Sequence, residues 1–268
     1  MAECYASTIV NLALNEVGYL EKKSNTSLFD KTKNAGNNNY TKYAYELDEI
    51  KDFYNGKKNG YAWCSCFVDN MGVKAFGVAD MKRITFHTIY GASCTYSARQ
   101  YKNNGRFYTT PKVGDEIFFK DSDGGCSHTG LVVAVDTLYV HTVEGNTSSA
   151  SGVVANGGAV EKKKYLKTYN KIYGYGRPLY DAEPKKKKYS GKFPKLPKKG
   201  YLAKGDKGTE VEKLQAFLNW YGGYKLVVDG DFGAKTHAAV VNFQSKEKLD
   251  VDGLFGKNSL ARAKKVKK

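Results

Sequence analysis

The chain's 268 residues, 41% of them hydrophobic, supply enough material for one large or two modest domains with real cores. No apolar run is long enough to cross a bilayer as a helix, so membrane insertion is not expected. The formal charge of +16 implies an acidic partner, either nucleic acid, anionic lipid or an anionic wall polymer.

That charge is uneven. Residues 1–180 carry 22 basic and 17 acidic groups, whereas residues 181–268 carry 21 and 10, so the basicity belongs mainly to the tail. Five cysteines, scattered without framework spacing, indicate a chain made in a reducing cytosol. The start Met1-Ala2-Glu3-Cys4-Tyr5 lacks the basic and apolar regions of a signal peptide, so a soluble chain with no export signal of its own is expected.

In chain order, Tyr5, Ile9, Leu12 and Val17 give residues 2–18 a helical apolar stripe. A polar stretch follows from Lys22 to about Asn39. From Trp63 to about Phe76, Cys64, Phe67, Val68, Met71 and Ala75 share a helical face, and Cys66 turns roughly the opposite way from Cys64. A further helix is predicted between Cys94 and Asn104, stopped by Gly105. The pattern then turns to strands: Glu116–Lys120, His128–Val135, Leu138–Glu144, Ala159–Leu166 and Ile172–Pro178. Helices followed by an antiparallel meander predict an α+β domain over 1–180.

Residues 181–200, with the run Lys185–Lys188 and three prolines, are read as a self-repelling linker. Beyond it, in 201–268, Val228-Asp229-Gly230-Asp231-Phe232-Gly233 recurs as Val251-Asp252-Gly253-Leu254-Phe255-Gly256. Each copy leads into a helical segment. A third helix precedes them, with Thr209 and Glu212 spaced as a capping box. Three short helices around one core are expected, with Phe232 and Phe255 inside.

The chemistry concentrates at Cys64, His128 and Glu144-Gly145-Asn146. A thiol at the start of a helix, an imidazole on one strand and a carboxylate and amide on the next fit a cysteine hydrolase with an oriented base. A turn near Asp136-Thr137 returns the chain level with His128 at residues 144–146. Glu144 and Asn146 fall on one strand face, and register decides whether that face is the one His128 occupies. His141 is on the opposite face. The structural alternatives are a cysteine acting as a small buried hydrophobe and a histidine serving the core; that reading is kept for Cys4, Cys66, Cys94, Cys126, His87 and His237. Cys64, Cys66, Cys126 and His128 can also be drawn as a zinc set, but one-residue spacings fit zinc poorly. No metal and no cofactor is expected. Asp121–Gly125 and the acidic group Glu46, Asp48, Glu49 and Asp52 offer oxygens to calcium, yet neither has the twelve-residue loop, and both are read as solvated surface.

Trp63-Cys64 with Phe67-Val68, Pro111…Gly114-Asp115, His128-Thr129-Gly130 and Glu144-Gly145-Asn146-Thr147 together resemble the CHAP domain, the cysteine, histidine-dependent amidohydrolase/peptidase family, over roughly residues 2–180. The resemblance implies a papain-like α+β fold and cleavage of amide bonds in bacterial peptidoglycan. It makes Cys64 the nucleophile, His128 the general base and acid, Glu144 the group orienting the imidazole, and Asn146 its assistant. The Cys64 backbone N–H is the expected oxyanion donor, and Trp63, beside the thiol, is expected to touch substrate. The repeat in 201–268 resembles the peptidoglycan-binding type 1 domain, with Trp220, Tyr221 and Tyr224 as ligand candidates. The pairing resembles a phage endolysin held in the host cytosol until a holin-type pore opens. The basic tail suits the anionic polymers of a Gram-positive wall. A bacterial autolysin and a wall-binding protein with an inactive hydrolase half are the alternatives. Nucleic-acid binding is not expected, for no basic-aromatic sheet or recognition helix is present. The sequence does not choose between an N-acetylmuramoyl-L-alanine amidase and a stem or cross-bridge endopeptidase.

Overall fold

A computed structural model of the protein describes residues 3–88, 90–184 and 188–266, which leaves Lys185–Lys187 of the lysine run, and Met1 and Ala2, outside the described residues. The chain divides into two compact units, Met1–Glu183 and Pro184–Lys268.

In the first unit, α1 (Ala6–Glu16) buries Ile9, Val10 and Ala13. Its N-terminus has no side-chain cap from Tyr5. Carboxylates from the far end of the unit take that role. Asp181 Oδ2 accepts from the Cys4 N–H at 2.7 Å, and Glu183 accepts from the Ser7 N–H at 2.7 Å and hydroxyl at 2.9 Å. Negative charge is favoured at that end of a helix. The start of the expected linker is therefore part of this unit.

A short helix, α2 (Lys42–Asp48), is absent from the sequence expectation; Thr41 caps it by accepting from the Ala44 N–H at 3.2 Å. The acidic group around it is only partly solvated. Asp48 accepts the N–H groups of Lys58 and Asn59 at 2.8 and 2.9 Å, and Glu46 pairs with Lys74 at 2.7 Å. Helix α3 (Cys64–Thr85) is interrupted at Gly77, whose φ of 76° breaks the helical path one residue beyond the expected end. Helix α4 (Cys94–Asn103) is capped by Ser93.

The strands are β1 (Phe107–Tyr108), β2 (Glu116–Lys120), β3 (Cys126–Val135), β4 (Tyr139–Thr147), β5 (Ala159–Leu166) and β6 (Ile172–Gly176). They form one antiparallel sheet in the order β1-β6-β2-β3-β4-β5. The α+β expectation therefore holds. Helix α3 packs on β3 and β4. Cys66, on the buried side of α3, belongs to the core with Trp63, Phe67, Leu131 and Val143. Burial and the nearby Asp69 push its thiol well up. No disulfide forms among the described residues.

The β3–β4 register settles the face on which the site is built. Near the turn Val135 pairs with Val140 and Ala134 with His141, a ladder that would set His128 opposite Thr147 if it continued unbroken. It does not. Val133 is an extra residue on β3, and beyond it Val132 pairs with Thr142 and Leu131 with Val143. The ladder ends at that pair, which brings Gly130 alongside Glu144 on the next residue.

In the second unit, α5 (Thr209–Gly222), α6 (Ala234–Lys246) and α7 (Lys257–Ala263) enclose Leu214, Phe217, Phe232, Val240, Phe243 and Phe255. The helix α5 N-cap is Gly208 and Thr209 is the first helical residue, so the expected capping box does not form. Each repeat copy is clamped by a glutamine. Gln215 Nε2 donates to Asp229 Oδ1 at 2.8 Å and to the Asp231 carbonyl at 3.0 Å, while its Oε1 accepts the Gly230 N–H at 3.0 Å. Gln244 repeats this on Asp252 (2.7 Å), the Leu254 carbonyl (3.0 Å) and the Gly253 N–H (2.9 Å). The clamp grips the backbone at 231 and 254, so aspartate and leucine serve equally there. Tyr189, Phe193 and Leu196 also pack against this core. The segment 181–200 is thus anchored at both ends, because its aromatic residues find apolar partners that a charge count does not register.

Candidate active site

Cys64 is the first residue of α3, and Trp63 at the N-cap makes no side-chain capping bond. The first-turn N–H groups therefore present the positive end of the helix at the thiol's position. Three contacts fix this helix start. The Trp63 indole N–H donates to Glu21 Oε2 at 2.8 Å, and its ring stacks on Tyr43 at 5.6 Å. Gly145 of β4 completes the seat. A Cβ there would lie 2.5 Å from Phe67 Cβ and 2.7 Å from Trp63 Cζ3, so only glycine lets the strand approach α3 this closely. Trp63 is 0% exposed, which corrects its expected role as a substrate contact: the indole is spent on anchoring the helix.

His128 and Glu144 are both fully buried and face each other. The imidazole Nε2–H donates to Glu144 Oε2 at 3.0 Å. Glu144 is itself held, with Thr142 Oγ1 donating to Oε1 at 2.5 Å and the Tyr165 hydroxyl to Oε2 at 3.2 Å. Phe119 stacks on the imidazole at 5.8 Å. Burial works against a charged imidazole, but the Cys64 thiol and the Glu144 carboxylate outweigh it and push His128 up to about 10. With Nε2 taken, Nδ1 is the nitrogen left for Cys64. It has no partner within hydrogen-bond distance among the described residues, so the thiol acts on the ring across a longer gap, as is common in a resting site.

Asn146 is brought to the same site but is differently employed. It is fully buried at a left-handed φ of 58°, and neither side-chain polar atom has a hydrogen-bond partner among the described residues. The ring is held by its bond to Glu144 and by the stacked Phe119. His141 lies elsewhere, bonded to Asp136 Oδ2 at 2.7 Å.

Thr142, Tyr165 and Phe119 are not among the site residues expected from sequence, and Gly130 figures there only as a letter of the His128-Thr129-Gly130 motif. Strand alternation could have found Thr142, which shares a face with Glu144 two residues away. Gly130 is needed because Glu144 runs across it to reach His128; a Cβ there would stand 2.4 Å from Glu144 Cγ. Gly130→Ala is expected to push the carboxylate off the imidazole. It should cost about 1–3 kcal/mol in stability and about 10²-fold in kcat/KM, read by denaturant midpoint and by initial rate.

Among the described residues no group of three or more His, Cys, Asp or Glu side chains is placed to hold a metal. Cys66 in the core cannot join Cys64 and His128 in a zinc set. In the turn offered to calcium, Asp121 Oδ1 already accepts from the Asp123 and Gly125 N–H groups at 3.0 and 2.6 Å. In the second unit, Trp220, Tyr221 and Tyr224 are half-buried and pack on the core. Tyr221 donates to Glu247 at 2.6 Å and Tyr224 to Asn242 at 3.1 Å. Phe217 lies beside the Trp220 and Tyr221 rings, and Tyr189 covers Trp220. These rings, expected as ligand candidates, are therefore partly committed to the core of this unit.

Residues 56–146 match the CHAP domain family, and residues 207–262 match the peptidoglycan binding domain family. A spore cortex-lytic enzyme of Halalkalibacterium halodurans is 41% identical over 62 residues, which is 23% of this chain and 19% of the relative. A spore cortex-lytic enzyme of Bacillus cereus is 43% identical over 70 residues, 25% of this chain and 27% of the relative. A zinc D-Ala-D-Ala carboxypeptidase of Streptomyces albus G is 42% identical over 59 residues, 21% of this chain and 23% of the relative. The chain thus spans about a fifth to about a quarter of the curated relatives it matches.

Proposed function

We propose that this protein is a peptidoglycan hydrolase that cleaves an amide bond of the bacterial wall by cysteine nucleophilic catalysis. The two domain matches support a peptidoglycan hydrolase. The observation that carries the cysteine chemistry is the buried His128–Glu144 pair set beside the thiol at the start of α3.

In the proposed reaction the Cys64 thiolate attacks the amide carbonyl carbon, and backbone N–H groups at the helix start, that of Cys64 among them, take the developing oxyanion. As the tetrahedral species collapses, His128 gives its proton to the leaving amine and a thioester remains. Water, deprotonated by His128, then attacks the thioester; collapse expels the Cys64 thiolate, the product acid gives its proton to solvent, and the thiolate–imidazolium pair is restored. Glu144 holds the ring in the tautomer with Nε2 protonated throughout. Asn146, buried with its amide unpartnered among the described residues, is a polar group kept for the reacting complex.

The finer reading is a phage endolysin, released from the host cytoplasm to a Gram-positive wall, whose cationic tail is drawn to anionic wall polymers. The cortex-lytic names of the relatives favour a second reading, a bacterial wall enzyme of the autolysin kind. Both make the same chemical prediction. Purified Gram-positive sacculi digested by the protein should yield new amino and carboxyl termini in equal number, read by mass spectrometry. A new L-alanine amino terminus identifies an amidase, and termini within the stem or cross-bridge identify an endopeptidase. Sacculi that gain neither overturn the proposal.

A further inference from the structure

Outside the thiol–imidazole pair, the first unit holds a cavity of about 510 Å³ walled by Tyr90, Thr95, Tyr96, Arg99 and Asn55, among others. Its size is that of a ligand pocket. Two tethers connect it to the reacting groups. On one side, the Tyr90 ring stacks on Phe53 at 4.7 Å, and Asn55 belongs to the loop that runs on to Cys64. On the other, the first turn of α4 is fastened to β3 two residues before His128: the Cys94 thiol and the Thr95 hydroxyl both donate to the Cys126 carbonyl at 3.0 Å. The cavity is therefore bounded by the loop that precedes the nucleophile and by a helix fastened to the strand that carries the base.

Its charge is one-sided. Arg99 is exposed, with its guanidinium 5.1 Å from the centre of the Tyr96 ring, on the same helical face as Thr95. It makes no ion pair with a carboxylate among the described residues, and no acidic side chain lines the cavity. A guanidinium already laid on an aromatic ring loses little freedom on pairing, and its planar fork fits a carboxylate.

We propose that this cavity is a substrate subsite for a peptide segment bearing a free carboxylate, which Arg99 pairs while Tyr90 and Tyr96 cover its apolar part. The proposal rests on the peptidoglycan hydrolase reading, since peptide stems of that polymer carry such carboxylates. Arg99 would set preference among stems, and it takes no part in bond breaking.

The test uses the full chain on soluble peptidoglycan fragments, half of which are amidated at their carboxylates with carbodiimide and ammonia. On untreated fragments, Arg99→Gln should raise KM about tenfold with kcat held, and Arg99→Lys should recover part of the loss. Amidation should raise the wild-type KM by a similar factor and leave Arg99→Gln unaffected. Equal KM values for wild type and Arg99→Gln on untreated fragments overturn the subsite alone. So does a loss that is the same on both preparations. A wild type that cleaves neither preparation overturns the hydrolase reading and the subsite with it.

Discussion

Cys64→Ala abolishes the fall in turbidity of purified cell walls, by at least about 10⁴-fold in rate, and leaves co-pelleting with walls intact. The first half of that expectation follows from how Cys66 and Cys94 are employed. Cys66 points into the core with its thiol held protonated by burial and Asp69, and Cys94 is already donating to the Cys126 carbonyl. The second half follows from the separate core of residues 184–268, which owes nothing to Cys64. Cysteine to alanine at an 8% exposed position removes one atom, so unfolding does not confuse the result. Retained lysis would sink the assignment. Lost lysis together with lost pelleting would place wall binding in the first unit.

Glu144→Gln should lower kcat/KM by about 10³-fold and move the alkaline limb of the pH profile downward. Glutamine keeps the shape but offers one acceptor oxygen where Thr142, Tyr165 and His128 together require two. Glu144 acts on His128 through both a hydrogen bond and its charge, and with the Cys64 thiol it holds the imidazole up at about 10 against burial. The wild type should therefore keep its imidazolium across neutral pH and lose activity as pH rises through about 10. The variant should lose it earlier, by an amount the rate profile reads directly. The sign for stability is the same. A histidine raised in the folded state stabilises it fully below the unfolded value of about 6.5 and loses that contribution as pH climbs through its folded value. Urea midpoints of the wild type should fall over that interval, and those of the variant should fall less. A profile unmoved by the substitution would remove Glu144 from the role assigned to it.

Much of the first unit is legible without coordinates. β2 and β5 run as alternation and apolar content mark them, and α3 begins at Cys64 and breaks just after Phe76, as its stripe implies. What escapes is set by tertiary contact. Helix α2 is only seven residues long, held by Thr41 and by packing on α3, so it is too short to carry a periodic signal. Trp63 reads as a groove residue because it adjoins the thiol, yet its indole N–H finds a buried carboxylate 42 positions earlier. Phe232 and Phe255 are core residues, as their place in the repeat suggests, whereas Trp220 is covered by Tyr189 from a segment that looks like linker. Gly130 and Gly145 are visible as letters, but the collisions that require them belong to β4 and α3.

The extra residue at Val133 bears on how relatives of this hairpin should be sought. His128 and Glu144 stand 16 positions apart here, but the ladder fixes only which residues pair on each side of the bulge. A chain lacking Val133 would close a regular hairpin with Leu131 still opposite Val143, and His128 and Glu144 would stand one position closer in sequence. Residues gained or lost at the turn beyond Asp136 would likewise leave the pairing untouched. A search by fixed interval from histidine to acid would pass over such chains, whereas one that asks for a glycine two residues after the histidine and another directly after the acid would find them.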